Sequence, residues 1–163
     1  MTVSRAAKII MVLALAAFAA LVTFNNITDY NSNYQFVQHV LSMDTTFPDN
    51  VAMYRAITSP ALWTAGYWGI IAGEALTGLL LLIGALRMWA ARDTAPHEFD
   101  AAKDFVIAGA TMGFLVWFVG FMVVGGEWFL MWQSEIWNGQ EAAFRFYLSM
   151  LAVLVFVNQP ERN

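Results

Sequence analysis

Apolar residues fall into four long runs along this chain, and polar residues gather in the gaps between them. The runs cover residues 6–24, 61–90, 105–131 and 142–157. A helix needs roughly 20 mainly apolar residues to cross the hydrocarbon core of a bilayer. Each run reaches or approaches that length. The pattern predicts an all-α integral membrane protein, a four-transmembrane-helix antiparallel bundle forming a single membrane domain over residues 1–163. The second run follows Pro60, a residue suited to the first turn of a helix. At 1.5 Å per residue it would be about 45 Å long, so it has to tilt or protrude.

The gap between the first two runs, the outer loop 25–60, is not an ordinary linker. It reads "NNITDYNSNYQFVQHVLSMDTTFPDNVAMYRAITS" before Pro60, holds no glycine and keeps many apolar side chains. A structureless loop of this length is unusual. Tyr34, Val37, Val40 and Leu41 recur at helical spacing, as do Val51, Tyr54 and Ile57. Two short amphipathic helices at the membrane surface are predicted. Asp44, Thr45 and Thr46 would turn the chain between them, and Asp49 would cap the second. His39, Asp44, Asp49 and Asp29 also lie here. One histidine is a poor basis for zinc, and the oxygens have no calcium-loop frame, so no metal site is expected.

Composition agrees with this class. The chain is 60% hydrophobic and 12% charged, against about 25% charged in soluble domains. Cysteine is absent, which removes disulfides, thiolate metal sites and Cys nucleophiles. His39 and His97 fall on opposite sides and cannot share one haem. No nucleotide-binding, Ser-His-Asp or zincin pattern is present, so neither an enzyme nor a cofactor is expected. No basic cluster with stacking platforms points to nucleic acid. There is no internal repeat of the kind that marks many transporters.

The position of the basic residues says more than the net charge of −4. Arg5, Lys8, Arg87, Arg92, Lys103 and Arg162 fall on one side of four spans, Arg55 and Arg145 on the other. Positive residues favour the cytoplasmic side. Both termini are therefore expected in the cytoplasm of a bacterial inner membrane, with the loop 25–60 outside. Arg5, Lys8, the first run and "AFA" at residues 17–19 also fit a cleavable signal; an uncleaved anchor is the expectation.

Glu74 is the sharpest candidate for chemistry, because it lies mid-span. Ionisable groups inside a bilayer are costly and are functional candidates by default. Tyr67 and Thr77 share its helical face and are expected to hydrogen-bond it. It is either a proton or cation relay or a neutral acid that binds a neighbouring helix. Small residues mark helix contacts: Gly69 and Gly73, then Gly109 and Gly113, with Gly113, Gly120 and Glu127 continuing at steps of seven. In "GGEWFLMWQSEIWNGQEAAFRF", Trp128, Trp132 and Trp137 suit the headgroup level. There Arg145 seeks a partner in Glu127 or Glu141. Arg55 joins this group as part of an outer ion pair or a headgroup site.

"NNITDYNSNYQFVQHVLSMDTTFPDN" and "GEWFLMWQSEIWNGQEAAFRF" resemble a bacterial family of predicted small integral membrane proteins, domain of unknown function 2165. The resemblance covers nearly the whole chain. It implies a four-span inner-membrane protein and no particular activity. The leading expectation is a non-catalytic accessory or assembly subunit of a larger inner-membrane complex, energy-transducing complexes included. Its partners would be lipid and other membrane subunits or further copies of itself. The competitors are a small oligomeric ion or proton channel using Glu74, and a lipid- or quinone-binding protein.

Overall fold

The computed structural model describes residues 1–161; Arg162, one of the charges used to orient the chain, lies outside the described residues. Among the described residues, four helical stretches are long and apolar enough to cross a membrane. Helix α1 (Val3–Thr28) starts at Thr2, whose hydroxyl accepts the Arg5 amide. It runs four residues further than the apolar run that announced it, because polar Asn25 and Asn26 continue the helix. One residue, Asp29, separates it from α2 (Tyr30–Ser42). Helix α3 (Pro60–Ala90) is the long second span and packs most extensively, against α1 on one side and the third span on the other. After the short α4 (Pro96–Ala101), helix α5 (Asp104–Phe114) passes into a π-helical segment (Leu115–Trp128). Helix α6 (Gln140–Val157) closes the bundle.

Met1 pairs with Asp93, and Arg5 bonds the Arg92 and Thr94 carbonyls and Glu161. Both chain ends and the α3–α4 loop therefore share one end of the bundle, the terminal end. Helix α2 covers the opposite end, called here the lid end.

Only one of the two expected amphipathic helices forms. Helix α2 is the first, starting at Tyr30. It stops at Met43, which adopts left-handed backbone (φ 56°) and is buried against Phe129 and Met131. The second is reduced to a single turn, Met53–Arg55. Its start is set by Asn50 rather than Asp49: the Asn50 carbonyl oxygen accepts the Ala52 amide and its NH₂ donates to Thr46. Pro60 holds Ser59 extended, and Ile57 donates its amide to the Leu41 carbonyl. Too few residues remain between these constraints for a longer helix.

The terminal half is solidly packed by Ile9, Val12, Leu81, Met88, Phe99, Val106 and Val157. Glycines allow the close approaches. A Cβ on Gly109 would lie 2.8 Å from Leu81, and one on Gly84 would lie 2.6 Å from Val106 and 2.9 Å from its amide. Gly73 backs onto Val116 and Gly113 onto Met150. Gly69 is a correction: it faces open space and contacts no helix. Gly120 is another. The π-helical winding stacks residues five apart, so a Cβ there would meet only the Leu115 carbonyl of its own helix. Gly78, absent from the expected set, lies against Ala16, Ala19 and Ala20 of α1.

Candidate functional site

The lid half holds two small cavities walled by several helices, whereas the space of about 570 Å³ beside Ala16, Ala20, Gly78 and Leu82 is a groove between α1 and α3 alone. Glu74, on α3, is buried with 2% of its surface exposed. Its partner is Asn26, near the end of α1, whose side-chain NH₂ donates to Oε2 at 2.7 Å. Tyr67, two turns along α3 toward the lid, is also buried. Its hydroxyl donates to the Asn26 main-chain carbonyl at 2.8 Å rather than to Glu74. Thr77 donates to the Gly73 carbonyl of its own helix at 2.8 Å. The expected Tyr67 and Thr77 bonds to Glu74 are therefore absent: both hydroxyls are satisfied by backbone. Asn26 holds both Glu74 and Tyr67 and ties α1 to α3.

Glu74, Asn26 and Tyr67 line a cavity of about 200 Å³. Its other walls come from α2 (Asn33, Phe36, Val37), the π segment (Trp117, Phe121) and the start of α6 (Ala142, Phe146). Among the described residues, only Oε2 of Glu74 has a hydrogen-bond partner. Among the described residues no side-chain oxygen or nitrogen is both shut off from open space and unpartnered. The second carboxyl oxygen therefore opens onto this cavity. A polar group buried without a partner costs free energy, so an open face here is available to a guest that supplies a bond.

A second cavity of about 190 Å³ adjoins it. Its lining is apolar: Val40, Leu41, Gly120, Val124, Phe129 and Met131 among others. Phe36, Val37, Ile70 and Phe121 line both cavities and form the partition. The Phe36 and Phe121 rings stack with centroids 5.8 Å apart. Gly139 lets α6 start against this pair, since a Cβ there would sit 2.9 Å from Phe36.

Of the outer ion-pair candidates, Arg145 and Glu141 pair, and Glu127 and Arg55 do not join them. Arg145 pairs with Glu141 one turn away on α6, and both are exposed. Glu127 is exposed on the far end of the third span, and no ion pair joins it among the described residues. Arg55 donates to the Trp128 carbonyl and lies over the Trp128 ring, 4.8 Å from its centroid. The Arg55 guanidinium, expected in an ion pair or a headgroup site, is held instead by the aromatic belt. His39 bonds Asp44 at 2.9 Å and stacks on Trp137. Asp29 lies at the far end of α2, about 20 Å of helix away, and accepts from Ser32. The acidic residues of this loop do not converge.

A second polar cluster, at the terminal end, escaped the sequence reading. Arg5, Lys8 and Lys103 are all buried. Glu161 accepts from Arg5 Nε at 3.1 Å and from Lys8 Nζ at 2.7 Å. Lys8 and Lys103 also donate to the Gln159 carbonyl, and Lys103 bonds Asp100. Burial works against ionisation of Glu161, but the bonds from Lys8 and Arg5 outweigh it and hold its carboxyl below the ordinary range. The three cations, used above only to orient the chain, clamp its C-terminal segment.

No curated protein and no solved structure matches the chain. Residues 4–160 match the family described as "Predicted small integral membrane protein (DUF2165)". Four apolar helices, a bundle closed at both ends by polar contacts and a match over almost the whole length lead to one statement: this chain is an integral membrane protein of the DUF2165 family.

Proposed function

We propose that the protein is a non-catalytic membrane protein that holds a membrane-dissolved molecule in the cavity beneath α2. The observation that carries this reading is the free face of Glu74, a buried carboxyl on the wall of an otherwise mostly apolar cavity. Intramembrane carboxyls are expensive and tend to mark functional paths or sites. Ligand sites combine apolar walls with a few placed polar groups. This reading is better supported than a channel in a single copy, because the two cavities near Glu74 both lie toward the lid and a packed cluster of Ile9, Val12, Leu81, Met88 and Phe99 lies below them.

The test is photolabelling in liposomes with hexadecanol carrying a diazirine beside its hydroxyl. The label is expected on Trp117, Ala142 and Phe146, with several-fold less in Glu74→Gln. Label confined to lipid-facing residues such as Leu79 and Leu86 would overturn the reading.

An accessory-subunit role in a bacterial inner membrane, with both termini cytoplasmic, is the second reading. Its support is the apolar lid-end surface: Phe47, Val51, Tyr54 and Ile136 are all exposed. A patch of this kind suits a protein partner or the membrane interface. A label that reaches position 49 in the isolated protein but not in native membranes would carry this reading; equal labelling would count against it.

A further inference from the structure

Resting on the ligand-holding reading, the geometry points to a guest of defined shape: a single-chain amphiphile whose uncharged, hydrogen-bonding head, about the size of one six-membered ring, sits at Glu74 while its tail passes between Phe36 and Phe121 into the second cavity.

Size limits the head. A cavity of about 150 Å³ is known to hold benzene, and the Glu74 cavity is about 200 Å³. One ring or a glycerol-sized group fits; a phospholipid headgroup does not. Charge limits it further. Among the described residues no Arg, Lys or His lines either cavity, so a phosphate or fatty carboxylate would find no counter-charge after losing water. Glu74 and the Asn33 side chain offer hydrogen bonds instead, and Tyr67, Trp117 and Phe146 give the head aromatic neighbours.

The second cavity specifies the tail. It has an apolar lining and abuts the first across four side chains. The Phe36 and Phe121 rings, stacked 5.8 Å apart, close the partition, and their turning aside on binding would join the two spaces into one bent channel for a single chain. The far end reaches Val124, which is 42% exposed, so the tail can continue into lipid between α3 and the π segment. Gly120 and Gly66 keep this passage free of side chains: a Cβ on Gly120 has only the Leu115 carbonyl within 4 Å, at 3.8 Å. This accounts for a glycine at 120 that makes no helix contact.

The experiment uses 4-dodecylphenol with a diazirine either beside the ring or at the far end of the chain, in liposomes with the full-length protein. The ring-end probe is expected to label Trp117, Ala142 or Phe146. The chain-end probe is expected to label Val124, Phe129 or Met131. Gly120→Leu, which fills the second cavity, should cut chain-end labelling there at least fivefold and leave ring-end labelling in place. Val124→Trp at the mouth of the same cavity is the second variant, and thermal melting confirms that each folds. Ring-end labelling without chain-end labelling of the second cavity would overturn the two-chamber guest and leave the ligand-holding reading standing. Loss of both would overturn both. Unlabelled decyl-hydroquinone and monododecanoylglycerol compete as the two sources of such a head. Competition by either supports the proposal and identifies the source. Equal competition by dodecanoate or lysophosphatidylcholine would overturn the uncharged head.

Discussion

Two buried carboxyls in this molecule are held in opposite ways. Glu161 accepts from Arg5 and Lys8, whereas Glu74 has one neutral donor, Asn26. The first is a structural clamp. Its carboxyl is held below the ordinary value of 4.5, so its contribution to stability is complete above about pH 4.5 and is lost as acid passes through the lowered folded value. The melting temperature of the purified protein should fall over that range. Glu161→Gln should cost about 1–3 kcal/mol at neutral pH, because buried cations lose their partner, and should flatten the acid limb. Identical melting of the two proteins at pH 7 would show that the clamp adds nothing. Glu74 was legible from sequence because a charge in an apolar run stands out. Its partner was not: Asn26 is 48 positions away, past the end of the apolar run. The buried state of Arg5 and Lys8 was equally hidden, since charged residues flanking a span ordinarily face water.

At the scale of elements, hydropathy revealed the four spans but not how they wind. A mean over an apolar run is the same for α and π winding. Steps of seven therefore grouped Gly113 with Gly120, whereas five-residue stacking from Leu115 onward turns Gly120 toward the second cavity. Of the expected glycines, Gly73, Gly109 and Gly113 do bring α3 close to its neighbours, and Gly78 and Gly84 join them. A Cβ on Gly109 would lie 3.0 Å from the Leu81 amide nitrogen, backbone that cannot swing aside. Gly109→Val should destabilise the bundle by about 1–3 kcal/mol through overpacking. Gly69→Leu, in open space, should change stability by no more than about 0.5 kcal/mol. Melting both variants in one detergent checks the contrast, and equal losses would mean that Gly69 has a neighbour beyond this chain. Helix α2 was legible because its apolar spacing is regular over Tyr34, Val37 and Leu41. The second lid helix failed on local bonds at Asn50 and on Pro60, which spacing does not register.

For the whole molecule, the two ends of the bundle carry different loads. The terminal end is fastened by buried charges and the lid end by aromatic stacking and hydrogen bonds such as Thr45 to Ser134. On the reading proposed above, guests from the membrane would enter at the lid, where the ion pairs among the described residues, such as Arg145–Glu141, lie on the surface rather than in the core. This division also bears on orientation. Three of the basic residues on which the expectation of cytoplasmic termini rests are buried in protein, so their charges act on Glu161 and Asp100 rather than on lipid headgroups alone. The direction of insertion therefore needs a direct readout. The chain has no cysteine, which makes single-cysteine reporters simple. Asp49 lies exposed on the lid loop and His97 exposed on the terminal end. In intact cells a membrane-impermeant maleimide should label Asp49→Cys and leave His97→Cys untouched until the membrane is opened. The reverse pattern would place the lid, and with it the Glu74 cavity, in the inner leaflet. The same Asp49→Cys protein, compared before and after extraction in mild detergent, reports whether a partner covers the apolar lid surface. Protection confined to the native membrane is the outcome expected of a subunit, and equal reactivity in both settings is that of a protein whose lid faces only water and lipid.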